Sequence, residues 1–315
     1  MSDDVERALA LWGLAAAPAR FIAGRENRVY RISTPQGDLA LRLKRPGYRS
    51  DAELLAELQW LEAMHAAGVH VPRPQPALSG NLLETIGAQR VDVIGWLPGT
   101  PLGRSRAPLA LADAPGVFRK LGAAMAELHE ACDTWVKPAG FERCAWDIEG
   151  LVGEAPVWGA FWQNPTLDTA TSALFETFRD LARKDLDRLA EGLDYGLIHA
   201  DLVRENVLVD GQELRMIDFD DGGWGFRLFD VATALFKNRH EADYDTLKAA
   251  LLAGYRSRRT LDARALDLFM ALRAVSYVGW IVPRIEEDGS GDRNLRYIED
   301  AMRLCSDYLR QSHAA

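Results

Sequence analysis

The chain has 315 residues and a formal net charge of −9, with 48% hydrophobic and 26% charged residues. This is ordinary globular composition on a length that suits one large domain or two lobes. The acidic balance argues against a nucleic-acid partner, which needs clustered Lys and Arg. Cys132, Cys144 and Cys305 are too scattered for a disulfide framework or zinc knuckle and fit reduced thiols in cytoplasm. The start "MSDDVERALALWG" reads as neither a secretory signal nor an anchor. Leu266 to Val282 is apolar but carries Asp267 and Arg273, so it reads as a buried helix and not a membrane span. The expectation is a soluble, cytoplasmic protein without membrane or nucleic-acid partners, its oligomeric state open.

Residues 5 to 14 suit a short helix. "FIAGRENRVYRIST" and "GDLALRLKRPG" alternate as strands joined by a Pro-Gln-Gly turn. Ser50 then opens "SDAELLAELQWLEAMHAAG", where Leu54, Leu55, Leu58 and Leu61 recur at helical spacing and Gly68 supplies a stop. Ser50 and Glu53 have the spacing of a capping box. "VPRPQPALSG" is a proline-stiffened connector and "VDVIGWLPG" a buried strand ending in a turn. From Ala112 onward helical patterns cover 113–133, 169–191, 230–238, 243–257, 262–281 and 292–311, interrupted by strand-like runs at 197–222. The shift near Pro98 predicts an α+β protein with a small sheet-rich N-terminal lobe, 1–97, and a larger, mainly helical C-terminal lobe, 98–315. A ligand is expected in the cleft between them.

The interrupting segment "LIHADLVRENVLVDGQELRMIDFDDG" holds the chemistry. His199, Asp201 and Asn206 follow an H-x-D-x-x-x-x-N spacing between apolar runs, so a polar loop leaves and re-enters the core. One nearby His and no H-E-x-x-H helix make zinc a poor match. The Asn206 amide and the Asp218 carboxylate are hard oxygen donors, which suit Mg together with nucleotide phosphates.

This arrangement resembles the kinase catalytic loop. It is more similar still to the aminoglycoside phosphotransferase and choline kinase superfamily, through "HADLVRENVLVDG", "LRMIDFDD" and "FRLFDVATAL". "LRLKRPGYRS", "LQWLEAMHAAGVHVPRP" and "ALRAVSYVGWIVPR" look like the branch holding stress-response kinase A and the homoserine kinase-like proteins. The likeness spans nearly the whole chain and is weakest over 135–190. It implies a bilobal protein-kinase-like fold using ATP and Mg, with Asp201 as the base and Asn206 and Asp218 holding metal. Asp220 is either a further metal-side ligand or a turn residue. His199 reads as a loop anchor, and Asp230 as a helix cap that also braces the loop.

On the nucleotide side the resemblance calls for a strand cation paired with a helix Glu. Alternation puts Arg42 and Lys44 on one strand face. Alignment with the family favours Arg42 where Lys is usual, leaving Lys44 as the alternative. Glu57, one turn beyond Glu53, is the helix partner. Residues 24–30, including Gly24 and Asn27, would turn over the phosphates, although no G-x-G-x-x-G is present. Gly95, Trp96 and Leu97 would form the connector that meets adenine.

Only 11 residues separate Asp218 from Asp230, too few for the long activation segment of protein kinases. The leading expectation is therefore transfer of the γ-phosphate to a hydroxyl of a small molecule such as an amino alcohol, homoserine, a sugar or an aminoglycoside. A protein Ser/Thr kinase and a non-catalytic nucleotide-binding regulator are the alternatives. Trp146, Trp158, Phe161 and Trp162 either cover the acceptor or pack the helical lobe, and Arg273 and Trp280, two turns apart on one helix, are candidate pocket residues.

Overall fold

The computed structural model describes residues 3–24, 27–287 and 289–314. By their internal contacts the residues form two compact units, neither of them one continuous stretch. The first comprises Met1–Leu102, Thr134–Arg143 and Asn206–Asp220, the second Gly103–Asp133, Cys144–Glu205 and Asp221–Ala315. The segment carrying Asn206, Asp218 and Asp220 thus belongs with the N-terminal sheet, whereas a sequence boundary at Pro98 assigns it to the C-terminal part.

The first unit begins with α1 (Asp3–Ala10), then β1 (Ala19–Gly24), β2 (Asn27–Thr34), β3 (Gly37–Lys44), α2 (Asp51–Ala66), β4 (Leu83–Ile86) and β5 (Gln89–Gly95). The strands form an antiparallel sheet in the order β1-β2-β3-β5-β4. The run read as one strand from Phe21 to Thr34 is therefore two; of residues 24–30, proposed to turn over the phosphates, Gly24 ends β1 and 27–30 belong to β2, while 25 and 26 lie outside the described residues. Alternation along β3 sends Leu41 and Leu43 into a core with Val5, Leu9, Val91 and Val93. Arg42 and Lys44 go to the opposite face, where α2 contributes Glu57.

Helix α2 starts where Ser50 and Glu53 complete a capping box, worth about 1 kcal/mol. It buries Leu54, Leu58, Leu61, Trp60 and Met64, while Leu55 is left exposed on the outer face. A short strand β6 (Thr100–Pro101) pairs with β9 (Val207–Asp210), which pairs in turn with β10 (Glu213–Met216).

The second unit holds α3 (Ala114–Thr134, all but its last residue), β7 (Ala145–Trp146), α4 (Ile148–Val152), α5 (Thr169–Leu189), β8 (Tyr195–Ile198), β11 (Gly223–Phe226), α6 (Arg227–Phe236), α7 (Tyr244–Arg256), α8 (Leu266–Trp280) and α9 (Ser290–Ala314). Strands β7, β11 and β8 form a small sheet with β11 central. Helix α8 packs against α6 and α9 and is buried continuously from Leu268 to Gly279, Arg273 included, as suits a helix with apolar residues on every side. Among the described residues no helix is long and apolar enough to cross a membrane.

Trp146, Trp158, Phe161 and Trp162 are all buried and belong to this core. Trp146 stacks on Phe229, Phe161 meets Phe175 edge-on, and Arg179 covers Trp162. Gly279 admits this segment: a Cβ there would overlap the backbone of Trp158 and Gly159.

Candidate active site

Two sets of polar residues stand out, one in each unit. In the second unit, β8 ends at Ile198 and the chain turns through His199, Ala200 and Asp201. Ala200 has a φ of 63°, a conformation that non-glycine residues adopt only where surroundings hold it. The holding group is the Asp230 carboxylate on α6, which accepts the backbone N–H of His199 at 2.8 Å and of Ala200 at 2.6 Å. His199 accepts the Asp201 N–H on Nδ1 at 3.3 Å.

Behind Asp230 sits buried His129 of α3, its Nε2 at 3.1 Å from the carboxylate and its Nδ1 at 2.8 Å from the Tyr255 hydroxyl. Burial, helped by Arg227, pushes the imidazole down to about 4. The neutral ring therefore donates from Nε2 and accepts from Tyr255. Against the cost of burial, the hydrogen bonds from His129 and His199 hold Asp230 below the usual carboxylate range.

Asp201 is partly exposed, and the fully buried Arg273 of α8 donates to its Oδ1 at 2.6 Å. Arg273 also donates to the Ala200 carbonyl at 3.1 Å and the Tyr277 hydroxyl at 2.7 Å. Burial and the nearby Asp221 raise Asp201 to about 6, although Arg273 and Lys237 pull the other way. Trp158 donates to Asp221 at 3.2 Å and lies under the Arg273 guanidinium, 4.5 Å from ring centre to Cζ. Trp280 lies beside Trp158 at 6.1 Å between ring centres. Of the two α8 candidates, Arg273 therefore contacts Asp201 directly and Trp280 lies one ring further away.

In the first unit, Arg42 stands directly across from Asp92 on β5. It donates to Asp92 from Nε at 2.7 Å and from Nη2 at 3.1 Å, and to Glu57 from Nη1 at 2.6 Å. The Lys44 ammonium reaches Glu57 at 3.2 Å, Asp92 at 3.3 Å and Asp220 at 3.6 Å. All five side chains are buried. Against that burial, Arg42, Lys44 and Arg143 hold Glu57 well below the carboxylate range. Arg143 donates to the carbonyls of Glu53, Phe219 and Asp220 at 3.0, 2.9 and 2.7 Å, tying α2 to the segment after β10. Trp60 of α2 packs edge-on against Phe219 at 5.0 Å.

Asp218 lies in that segment with a φ of 69°. The preceding residue, Ile217, donates its N–H to the Asn206 carbonyl at 3.0 Å, so the two metal candidates sit on hydrogen-bonded neighbouring segments. Their amide and carboxylate are oxygen donors of the hard type that Mg takes alongside phosphate. Asn27 begins β2 opposite Lys44, and Gly24 ends β1. The N–H groups of Gly95 and Trp96 donate to the carbonyls of Arg73 and Asp38, which narrows what the connector has to offer a ligand.

Asp92, Arg143, His129, Asp221 and Lys237 were not singled out from the sequence. Asp92 left one signal, a lone carboxylate within the apolar run "VDVIG", since an acid in such a strand needs a buried partner. The others depend on contacts distant in sequence.

These features define a kinase-like mixed α/β fold carrying a cation–carboxylate pair on its sheet and a braced aspartate loop. Residues 19–266 match the model of the phosphotransferase enzyme family APH, and the chain belongs to that family. A solved microcompartment-associated aminopropanol kinase superposes with a TM-score of 0.84 at 30% identity, covering 98% of this chain and 97% of that one. The amicoumacin kinase hAmiN, solved with AMP-PNP, Ca2+ and amicoumacin, gives a TM-score of 0.76 at 20% identity, covering 95% and 92%. Homoserine kinase of Sinorhizobium fredii is 27% identical over 274 residues, 83% of this chain and 76% of the relative.

Proposed function

We propose that this phosphotransferase moves the γ-phosphate of ATP, with Mg, to a hydroxyl of a small molecule. The observation that carries the reading is Asp201: a carboxylate raised to about 6, on a loop whose backbone is clamped by Asp230. A base with a pKa near the working pH, held in place, is what proton removal from an alcohol asks for. Asp201 orients the acceptor hydroxyl and takes its proton as the oxygen attacks the γ-phosphorus.

Lys44 is the phosphate-facing cation in this reading. Arg42 is engaged at Nε and both terminal nitrogens by Asp92 and Glu57, so it acts as the brace that fixes Glu57. Asp220, within ion-pair reach of Lys44, restrains that ammonium and is not counted as a metal ligand. Asn206 and Asp218 would hold Mg, which when bound neutralises phosphate charge. The small acceptor is supported by the relatives named for aminopropanol, amicoumacin and homoserine. It is supported too by β11, which begins three residues after Asp220 and leaves no long activation segment.

The test is Mg-dependent ADP release over a panel of hydroxyl-bearing metabolites and aminoglycosides, with Asp201→Asn in parallel. Turnover on one acceptor that vanishes in the variant supports the reading. Full turnover in Asp201→Asn rejects the base.

A further inference from the structure

Lys237 caps the C-terminal end of α6, where a lysine is ordinarily a solvated charge complementing the helix dipole. Here it is half-buried. Its ammonium lies 3.9 Å from the centre of the Tyr277 ring and 5.3 Å from that of Tyr297, two rings that stack on each other. Among the described residues it makes no hydrogen bond and has no carboxylate within ion-pairing distance. Aromatic faces attract a cation but accept no full hydrogen bond from it, so the ammonium is only partly compensated for its lost water. Its pKa agrees, lowered to about 8 by burial first and Arg273 second, with the more distant carboxylates of Asp201 and Glu205 pulling the other way.

The second cation against Tyr277 is Arg273, and it is already engaged. Both of its terminal nitrogens bond to Asp201, the Ala200 carbonyl or the Tyr277 hydroxyl. The catalytic carboxylate therefore has its own counter-ion, and Lys237 is a second positive charge on the same aromatic group. Its electrostatic influence reaches Asp201.

We infer that Lys237 binds the carboxylate of the acceptor, so that the substrate class is a small hydroxy acid whose hydroxyl meets Asp201 while its acid group pairs with the Lys237 ammonium. A single ammonium among aromatic rings suits a monoanion. A phosphate monoester would ask for more donors than Lys237 supplies. The inference rests on the phosphotransfer reading above and narrows its acceptor.

The experiment compares 4-hydroxybutyrate and homoserine with their primary amides, first by equilibrium titration against tryptophan fluorescence and then as phosphoryl acceptors. The wild-type protein is expected to bind each acid at least about tenfold more tightly than its amide, the range of a charge-assisted hydrogen bond. Lys237→Met should collapse that preference and Lys237→Arg should restore most of it. Equal binding of acid and amide by the wild type, no saturable binding of either acid, or an acid preference intact in Lys237→Met overturns the inference. Acid binding that depends on Lys237 without transfer to any acceptor would instead reject the phosphotransfer reading and leave the anion site standing. Transfer indifferent to the acid group would do the reverse.

Discussion

Arg273 donates to the Asp201 carboxylate at 2.6 Å, yet Asp201 titrates near 6, above an ordinary aspartate, because burial and Asp221 outweigh the guanidinium. As the proposed base it would work deprotonated. With a raised pKa, kcat/KM should fall as pH drops through about 6 and level off above it. Removing the guanidinium in Arg273→Met leaves burial less opposed, so the acidic limb should move to higher pH by about one unit or more. A pH profile of kcat/KM at saturating nucleotide measures both, and a wild-type limb near 4 would contradict the assignment.

Asp201→Asn keeps the side-chain shape and removes the proton acceptor. A loss of about two to four decades in kcat is expected, with nucleotide affinity little altered because Asp201 is assigned to the acceptor. Steady-state kinetics together with nucleotide titration separate the two effects. A variant that lost nucleotide binding instead would point to a role for Asp201 on the phosphate side.

Arg42 and Lys44 should fail in different ways. Arg42→Met strips Asp92 and Glu57 of their closest donors inside a buried cluster. It should cost about 3–5 kcal/mol of stability, read as a lower denaturation midpoint. Lys44→Met leaves Arg42 in place on both carboxylates and should lose less stability but most of the nucleotide-dependent rate. The opposite pattern would return the phosphate role to Arg42.

His129 ties stability to pH. Its folded pKa near 4 lies below the value near 6.5 of an unfolded chain. Between those limits the unfolded state binds more protons, so stability falls as pH drops. The window from pH 6.5 to 4 corresponds to about 3 kcal/mol from this group when complete. In His129→Gln that contribution should disappear, leaving a flatter dependence in denaturant titrations at pH 7 and pH 4.5. An equally steep slope in the variant would show that other groups carry it.

The sequence was informative where local pattern sets geometry. Ser50 and Glu53 did form the capping box, and strand alternation did put Arg42 and Lys44 on the face opposite Leu41 and Leu43. It was silent where geometry depends on distant partners. The two hydrogen bonds that engage Arg42 at Nε and Nη2 are accepted by Asp92, 50 residues away. The bracing of Asp230 involves His129, 101 residues earlier in the chain. The two-residue strands β6 and β7 are too short to leave any alternation to read.

The same separation in sequence bears on how the chain matures as it emerges from the ribosome. The first unit recruits Asn206–Asp220, and Thr100 and Pro101 find their strand partners only in Val209 and Leu208. His70 likewise offers its carbonyl to Met216. A nascent chain that has reached residue 102 therefore lacks the pieces that complete its own sheet-rich unit. About a hundred more residues must be translated and must leave the exit tunnel, so β6 should remain open to proteases until Asp220 has cleared it and gain protection from then on.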